Sequence, residues 1–179
     1  MGVLNVTPDS FSDGGVYSEP SKAVARAWQI AEEGADILDM GGESTRPGSK
    51  GIPVEEELRR VLPVLDAIKA DYPIPISIDT SKSEVARRAL DRGAALVNDV
   101  TGTRHDPRMG EAVASYQAGL ILMHMRGNPS NMQLLAPSPD ILGEIERWAH
   151  EAVATARRSG VSCDQVVLDP GIGFGKTVD

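Results

Sequence analysis

Residues 76–99 read Ile76-Ser77-Ile78-Asp79-Thr80-Ser81-Lys82-Ser83-Glu84-Val85-Ala86-Arg87-Arg88-Ala89-Leu90-Asp91-Arg92-Gly93-Ala94-Ala95-Leu96-Val97-Asn98-Asp99, one complete strand–helix–strand unit. Ile76–Asp79 is a short strand ending on a carboxylate. Ser83 is placed to cap a helix over Glu84–Arg92, Gly93 stops it, and Leu96–Asp99 is the next strand, again ending on polar side chains. Strands this short and continuously apolar are buried on both faces, and a helical crossover between them makes the pair parallel.

The same pattern repeats outward in both directions, although no residue-level repeat is visible. Further strands read at Val3–Val6, Ile37–Met40, Leu120–His124 and Val166–Asp169. Ser21 opens a helix with Val24, Ala27, Trp28 and Ala31 on one face, and Gly34 ends it. A second helix over Glu55–Ala70 carries Leu58, Val61, Leu62, Leu65 and Ile68 at helical spacing, against Pro63, which removes a backbone donor. The pattern is weaker over Met109–Gln117 and strong over Asp140–Arg158, with Gly160 following. Glu55-Glu56-Glu57 reads as a solvated first helical turn. No linker or composition break appears, so residues 1–179 form one domain.

Strands alternating with helices at intervals of about 20 to 40 residues give either an open doubly wound sheet or a closed (β/α)8 barrel. Periodicity does not choose between them. The strand ends favour the barrel: Asn5, Asp39, Asp79, Asn98 with Asp99, His124 and Asp169 all stand at the carboxyl-terminal end, where a barrel gathers its catalytic groups at one mouth. An open sheet would spread them along an edge. Any one of them also reads as a helix cap or turn residue. Several buried carboxylates converging in one mouth, however, demand donors or a ligand.

Composition sets outer bounds. With 41% hydrophobic and 25% charged residues in 179, the chain has enough apolar surface for a globular core. A net charge of −8 disfavours broad contact with nucleic acid or an anionic membrane, which need a basic face. No apolar run approaches the roughly 20 residues that span a bilayer, and no signal or transit peptide opens the sequence. Cys163 is the only cysteine, which excludes an intrachain disulfide, suits a reducing cytoplasm and reads as a small buried side chain.

Three strand-to-loop junctions are too polar and glycine-rich to be core. Asn5-Val6-Thr7-Pro8-Asp9-Ser10-Phe11-Ser12-Asp13-Gly14-Gly15 leaves the first strand as a mobile loop. Asp39-Met40-Gly41-Gly42-Glu43-Ser44-Thr45-Arg46-Pro47-Gly48 leaves the second, with Thr45 and Arg46 as donors suited to phosphate oxygens. Asp169-Pro170-Gly171-Ile172-Gly173-Phe174-Gly175-Lys176-Thr177 leaves the sixth. It is not a nucleotide P-loop, because Gly171 to Gly175 encloses three residues where four are required. His105 and His150 lack metal-ligand spacing, and His124 reads as a hydrogen-bonded structural residue.

With these junctions, Ile78-Asp79-Thr80-Ser81, Val97-Asn98-Asp99-Val100 and Met123-His124-Met125-Arg126-Gly127, the sequence resembles the dihydropteroate synthase family of pterin-binding enzymes over nearly its whole length. The resemblance implies a partial (β/α)8 TIM barrel of the α/β class, with about six of eight parallel strands present. It implies transfer between 6-hydroxymethyl-7,8-dihydropterin diphosphate and p-aminobenzoate, giving 7,8-dihydropteroate and pyrophosphate in folate synthesis, at a pocket that sulfonamides enter.

Residue by residue, the resemblance puts Asp79, Asn98 and Asp169 on the pterin's hydrogen-bonding edge and Met123 and Phe174 against its flat face. It puts Asn5 on Mg²⁺, Thr45 and Arg46 near the diphosphate, Phe11 and Pro47 around the p-aminobenzoate ring, and Asp13 in the same closing loop. A homodimer is implied for the full-length protein. The family also draws a lysine from its seventh strand and an arginine and a histidine from its eighth, which nothing here matches. A barrel takes about 250 residues, so the sequence reads as incomplete at its carboxyl end, and Met1, almost directly on the first strand, extends that expectation to the amino end. This chain alone is expected to be inactive and, with open strand edges, poorly soluble or oligomeric. Two other readings are a methyltetrahydrofolate-type methyltransferase domain and a non-catalytic pterin-binding module. The Ser-Thr-Arg-Pro-Gly and Ser-Phe-Ser-Asp-Gly-Gly loops favour the synthase, since a methyl donor needs no diphosphate site.

Overall fold

The computed structural model describes residues 1–7, 19–44, 51–127, 131–135 and 137–176. The described residues contain six strands, β1 (Gly2–Asn5), β2 (Leu38–Gly41), β3 (Ile76–Asp79), β4 (Leu96–Asp99), β5 (Gly119–Met123) and β6 (Val166–Asp169). Five α-helices lie between them: α1 (Glu19–Glu32), α2 (Val54–Ile68), α3 (Ser83–Leu90), α4 (Met109–Ser115) and α5 (Ile141–Arg158). All strand pairs are parallel, and the spatial order β1-β2-β3-β4-β5-β6 follows the chain. A doubly wound sheet reverses its strand order at a switch point. An unreversed order with α1 to α4 packed successively side by side is the wrap of a (β/α) barrel.

The strand pleat divides the residues between two environments. Leu4, Met40, Ile78, Val97 and Leu120 are register partners, all buried in one core cluster with Ala27 and Ile30 of α1, Val61 and Leu65 of α2, Val85 and Ala89 of α3, and Ala152 and Ala156 of α5. This is the outer, helix-covered face. Its neighbours in each strand therefore face the barrel axis.

Local signals explain most boundaries. Asp140 caps α5 by accepting the Gly143 N–H at 3.0 Å. Gly34, Gly93 and Gly160 follow α1, α3 and α5 with positive φ. Two expected caps are not caps. Ser21 lies inside α1, and Ser83 is the first helical residue of α3, its backbone N–H donating to Asp106 Oδ2 at 3.0 Å. α2 runs straight through Pro63, which sits on its exposed face, because Leu58, Val61, Val64, Leu65 and Ile68 hold the helix to the sheet. Cys163 is exposed, a correction to its expected burial: it opens a short 3-10 turn ahead of β6 instead of lying within a helix or strand.

Among the described residues β1 pairs only with β2 and β6 only with β5, and Val3 and Val167 on the inner face are 58% and 52% exposed. No helix among these residues is long and apolar enough to cross a membrane. Two open parallel edges beside exposed apolar lining favour association. The 179-residue chain is accordingly expected to self-associate; light scattering that returned the mass of a single chain would contradict this.

Candidate functional site

Register turns the inner face into a surface that can be read residue by residue. Asn5, Gly41, Asp79, Asn98, Ile121 and Val167 form one row across all six strands, and Met123 and Asp169 are partners one pleat step nearer the mouth. One step deeper lie Val3, Asp39, Ser77, Leu96 and Gly119. The strand-end residues Asn5, Asp79, Asn98, Met123 and Asp169 thus share the lumen, with Asp39 beneath them. Asp99 and His124 do not. Each follows an inward residue and so faces outward, where Asp99 accepts from Thr101 N (2.8 Å), Thr101 Oγ1 (2.7 Å) and Thr103 N (2.9 Å). His124 meets the Trp148 ring edge-on at 5.3 Å.

The lumen floor is polar and incompletely paired. Asn98 Nδ2 donates to Asp39 Oδ2 at 2.9 Å and the Ser77 hydroxyl stands beside the same carboxylate, but Asn98 Oδ1 has no partner among the described residues. Unpaired buried polar atoms are costly, so this cluster is suited to a ligand or water that supplies the missing bonds. Burial raises Asp39 above its ordinary carboxyl range, with the Ser77 hydroxyl first and then the Asn98 amide opposing. Asp79 is pushed well above its range by burial first and then by the negative charges of Asp39, Glu57, Asp99 and Glu43. Gly41 makes room for it: a Cβ there would stand 3.3 Å from both Cβ and Oδ2 of Asp79.

The β6 exit is tied to β5 by Lys176. Its ammonium donates to the carbonyls of His124 (2.9 Å), Gly171 (2.9 Å) and Phe174 (3.2 Å), folding the 170–176 loop back on itself. Gly171 is required there. Its φ is +64°, and a Cβ would come 2.1 Å from the His124 carbonyl oxygen. Its N–H donates to Asp169 Oδ1 at 2.7 Å, which fixes that carboxylate. Phe174 packs against a methionine-rich cluster of Val100, Met123, Met125 and Met132. One wall of the mouth is therefore apolar and polarizable, suited to a flat ring.

At the β2 exit, Lys82 is bonded to both Glu43 and Glu57, the latter at 2.5 Å, and Glu43 Oε2 also accepts the Ile52 N–H at 3.1 Å. Glu57 is fully buried, a correction to the solvated turn read at Glu55-Glu56-Glu57: it faces inward next to Val61, one turn on, while Glu55 stays exposed. The sequence marks Asp39 as a strand-end carboxylate, whereas it does not single out Lys82, Glu43, Glu57, Ile121 or the clasp made by Lys176. Alternation from Asp79 and Asn98 could have found Ile121; nothing local marks the lysine contacts. Phe11, Asp13, Thr45, Arg46 and Pro47 lie outside the described residues.

A strand-end lumen of amides and carboxylates over an apolar wall is where a (β/α) barrel places its ligand site. The family model for pterin binding enzymes matches residues 1–179, and the chain belongs to that family. It is 46% identical over 179 residues to the dihydropteroate synthase of Synechocystis, covering all of this chain and 62% of that protein. It resembles the Xanthomonas albilineans dihydropteroate synthase solved with 4-aminobenzoic acid at 46% identity and TM-score 0.90, over 99% of this chain and 62% of that one. The Yersinia pestis dihydropteroate synthase in complex with a sulfonamide drug is similar at 40% identity and TM-score 0.90, over 99% and 64%. The chain thus spans a little under two thirds of these relatives' length.

Burial, with the positive charges of Lys176 and Arg104, holds His124 down at about 4. Unfolded, it titrates near 6.5. Between those values the unfolded chain binds the extra proton, so the stability that neutral His124 contributes is full above pH 6.5 and is lost as pH falls toward 4. Asp39, Asp79 and Asp99, raised in the fold, run the opposite way. His124→Phe keeps a ring beside Trp148 and removes the titration. Its urea midpoint relative to the parent is expected to improve between about pH 7 and pH 5; an equal difference at both values would refute this.

Proposed function

We propose that the protein works as a dihydropteroate synthase, joining 6-hydroxymethyl-7,8-dihydropterin diphosphate to p-aminobenzoate. The observation that carries this reading is the lumen itself, with Asp79 and Asn98 adjacent in one row and Asp169 two strand spacings from Asn98, about 10 Å along the sheet. A flat bicycle hydrogen-bonded at both edges fills such a span.

The pterin's amino group and neighbouring ring N–H donate together to a carboxylate, a role for Asp169, whose orientation the Gly171 N–H already fixes. Asn98, with its carbonyl oxygen unpaired, accepts a further donor, and Asp79 completes the edge. Met123, Ile121 and Phe174 pack the ring faces and exclude water. By the family resemblance, Phe11 and Pro47 would enclose the p-aminobenzoate ring, with Asp13 in the same loop. In the reaction the bond from the pterin methylene carbon to the diphosphate oxygen breaks with its electron pair on pyrophosphate. The arylamine nitrogen then bonds to that carbon and loses a proton. Thr45 and Arg46 would stabilise the departing charge, so acceleration comes from electrostatics without a covalent nucleophile.

Asn5 fits Mg²⁺ in chemistry: it puts a hard amide oxygen on the lumen row, and Mg²⁺ keeps waters and takes phosphate oxygens instead of requiring a protein cage. When bound, the ion would neutralise charge on the diphosphate. The named relatives support the synthase over a methyl transfer to a corrinoid. A reducing cytoplasm fits the single free cysteine, and we extend the family's homodimer to the full-length protein.

Asp169→Asn replaces an acceptor with a donor against the pterin edge and is expected to weaken pterin binding by about 2 kcal/mol; unchanged calorimetric affinity would refute the assignment. Arg46→Ala is expected to impair the diphosphate substrate far more than free pterin, and equal losses would make Arg46 a loop support. Radiolabelled p-aminobenzoate incorporation, compared between this chain and a version extended at its carboxyl end, tests the reaction. No incorporation by either, with pterin still bound, would favour a non-catalytic binding module.

A further inference from the structure

Asp79 is the lumen carboxylate with the least to hold it. No side-chain or backbone donor among the described residues bonds to its oxygens, unlike Asp169, which has Gly171 N–H, and Asp39, which has Asn98. Its direction is set by where the backbone of β3 leaves the sheet and by the bare Gly41 beside it. Lys82 lies three residues further along, at the N-cap of α3, and its side chain turns back across the neighbouring strand.

There the ammonium is bonded to Glu43, two residues beyond Gly41, and to Glu57 of α2. Lys82 and Glu43 therefore bridge the same two strands that Gly41 and Asp79 join in register, one step nearer the mouth. Glu57 anchors the bridge to the helix layer, with its side chain 1% exposed and its second oxygen unpaired. Burial opposes the charge on Lys82, and the two carboxylates outweigh it, keeping the ammonium protonated. A partly buried lysine between two glutamates gains little over apolar packing, so its stability value alone does not account for it. What it supplies is direction.

We propose that Lys82 is a positioning residue: by bracing Glu43 to Glu57 it fixes the β2 and β3 exits against each other and so aims the Asp79 carboxylate into the lumen. This rests on the pterin reading for its ligand, but the brace itself is measurable without one.

Three substitutions separate the possibilities. Lys82→Met removes the charge, Lys82→Arg preserves it, and Glu43→Ala cuts the bridge while leaving the buried Lys82–Glu57 pair intact, so the fold keeps its most buried charges paired. Affinity for free 6-hydroxymethyl-7,8-dihydropterin, read by calorimetry, is expected to fall about tenfold in Lys82→Met and in Glu43→Ala, to fall no further in the double variant, and to recover in Lys82→Arg. Amide exchange of Thr80, whose N–H donates to the Asn98 carbonyl at 3.0 Å, is expected to quicken in both single variants, and that of Ile52 in Lys82→Met. Lowered melting temperature with unchanged pterin affinity would make Lys82 merely structural and overturn the proposal, as would additive losses in the double variant. Should the parent chain bind no pterin, the functional reading fails; the brace is then judged on exchange alone, and unchanged Thr80 exchange overturns it.

Discussion

A parallel strand of four residues has only two side chains for each face, and here the outer pair is committed to the helix layer. Leu4, Met40 and Ile78 cannot be exchanged for polar residues without uncovering α1 and α2, so whatever chemistry the protein performs must come from the alternate positions. Pleat parity is the constraint from which the site follows. It gathers Asn5, Asp79, Asn98 and Asp169 into one lumen and sends Asp99 and His124 out of it, although all six stand at strand ends.

The lumen so formed is acidic and sparingly compensated. Asp39 and Asp79 in the lumen, and Asp99 on its outer side, are all displaced toward their neutral forms by burial, and the two lysines at the mouth are spoken for. Lys82 serves Glu43 and Glu57, and Lys176 serves three carbonyls. Neither lysine is free to act as a general ligand; both spend their donors on holding loop stems at the mouth. Such a site favours a ligand that brings its own N–H donors over an anion lying directly on the strand ends.

Much of this was legible in the sequence, for identifiable reasons. β3, β4 and β6 have the boundaries that their apolar runs and closing carboxylates suggested, and β1, β2 and β5 differ by a single residue at each end. The barrel was preferred on clustering of polar strand ends, and the unreversed strand order bears that out. What escaped depends on distance in three dimensions. Glu57 sits in a run of three glutamates that looks solvated, and its burial comes from Lys82, 25 residues away. Ser83 looks like a cap because the residue after it starts a good helix, whereas its N–H is taken by Asp106. The two glycine-rich loops that speak most clearly for the family, with Phe11, Asp13, Thr45, Arg46 and Pro47, fall outside the described residues, so their roles rest on resemblance.

The placement of the two tryptophans gives the molecule a pair of independent optical reporters. Trp28 sits edge-on to Tyr72 at 5.3 Å, near the turn that ends α2, at the pole away from the ligand mouth. Trp148 touches His124 and lies close under Gly102, beside the exits of β4 and β5. Emission from the second is therefore expected to respond to what happens at the rim, while that of the first is expected to stay unchanged by the same event.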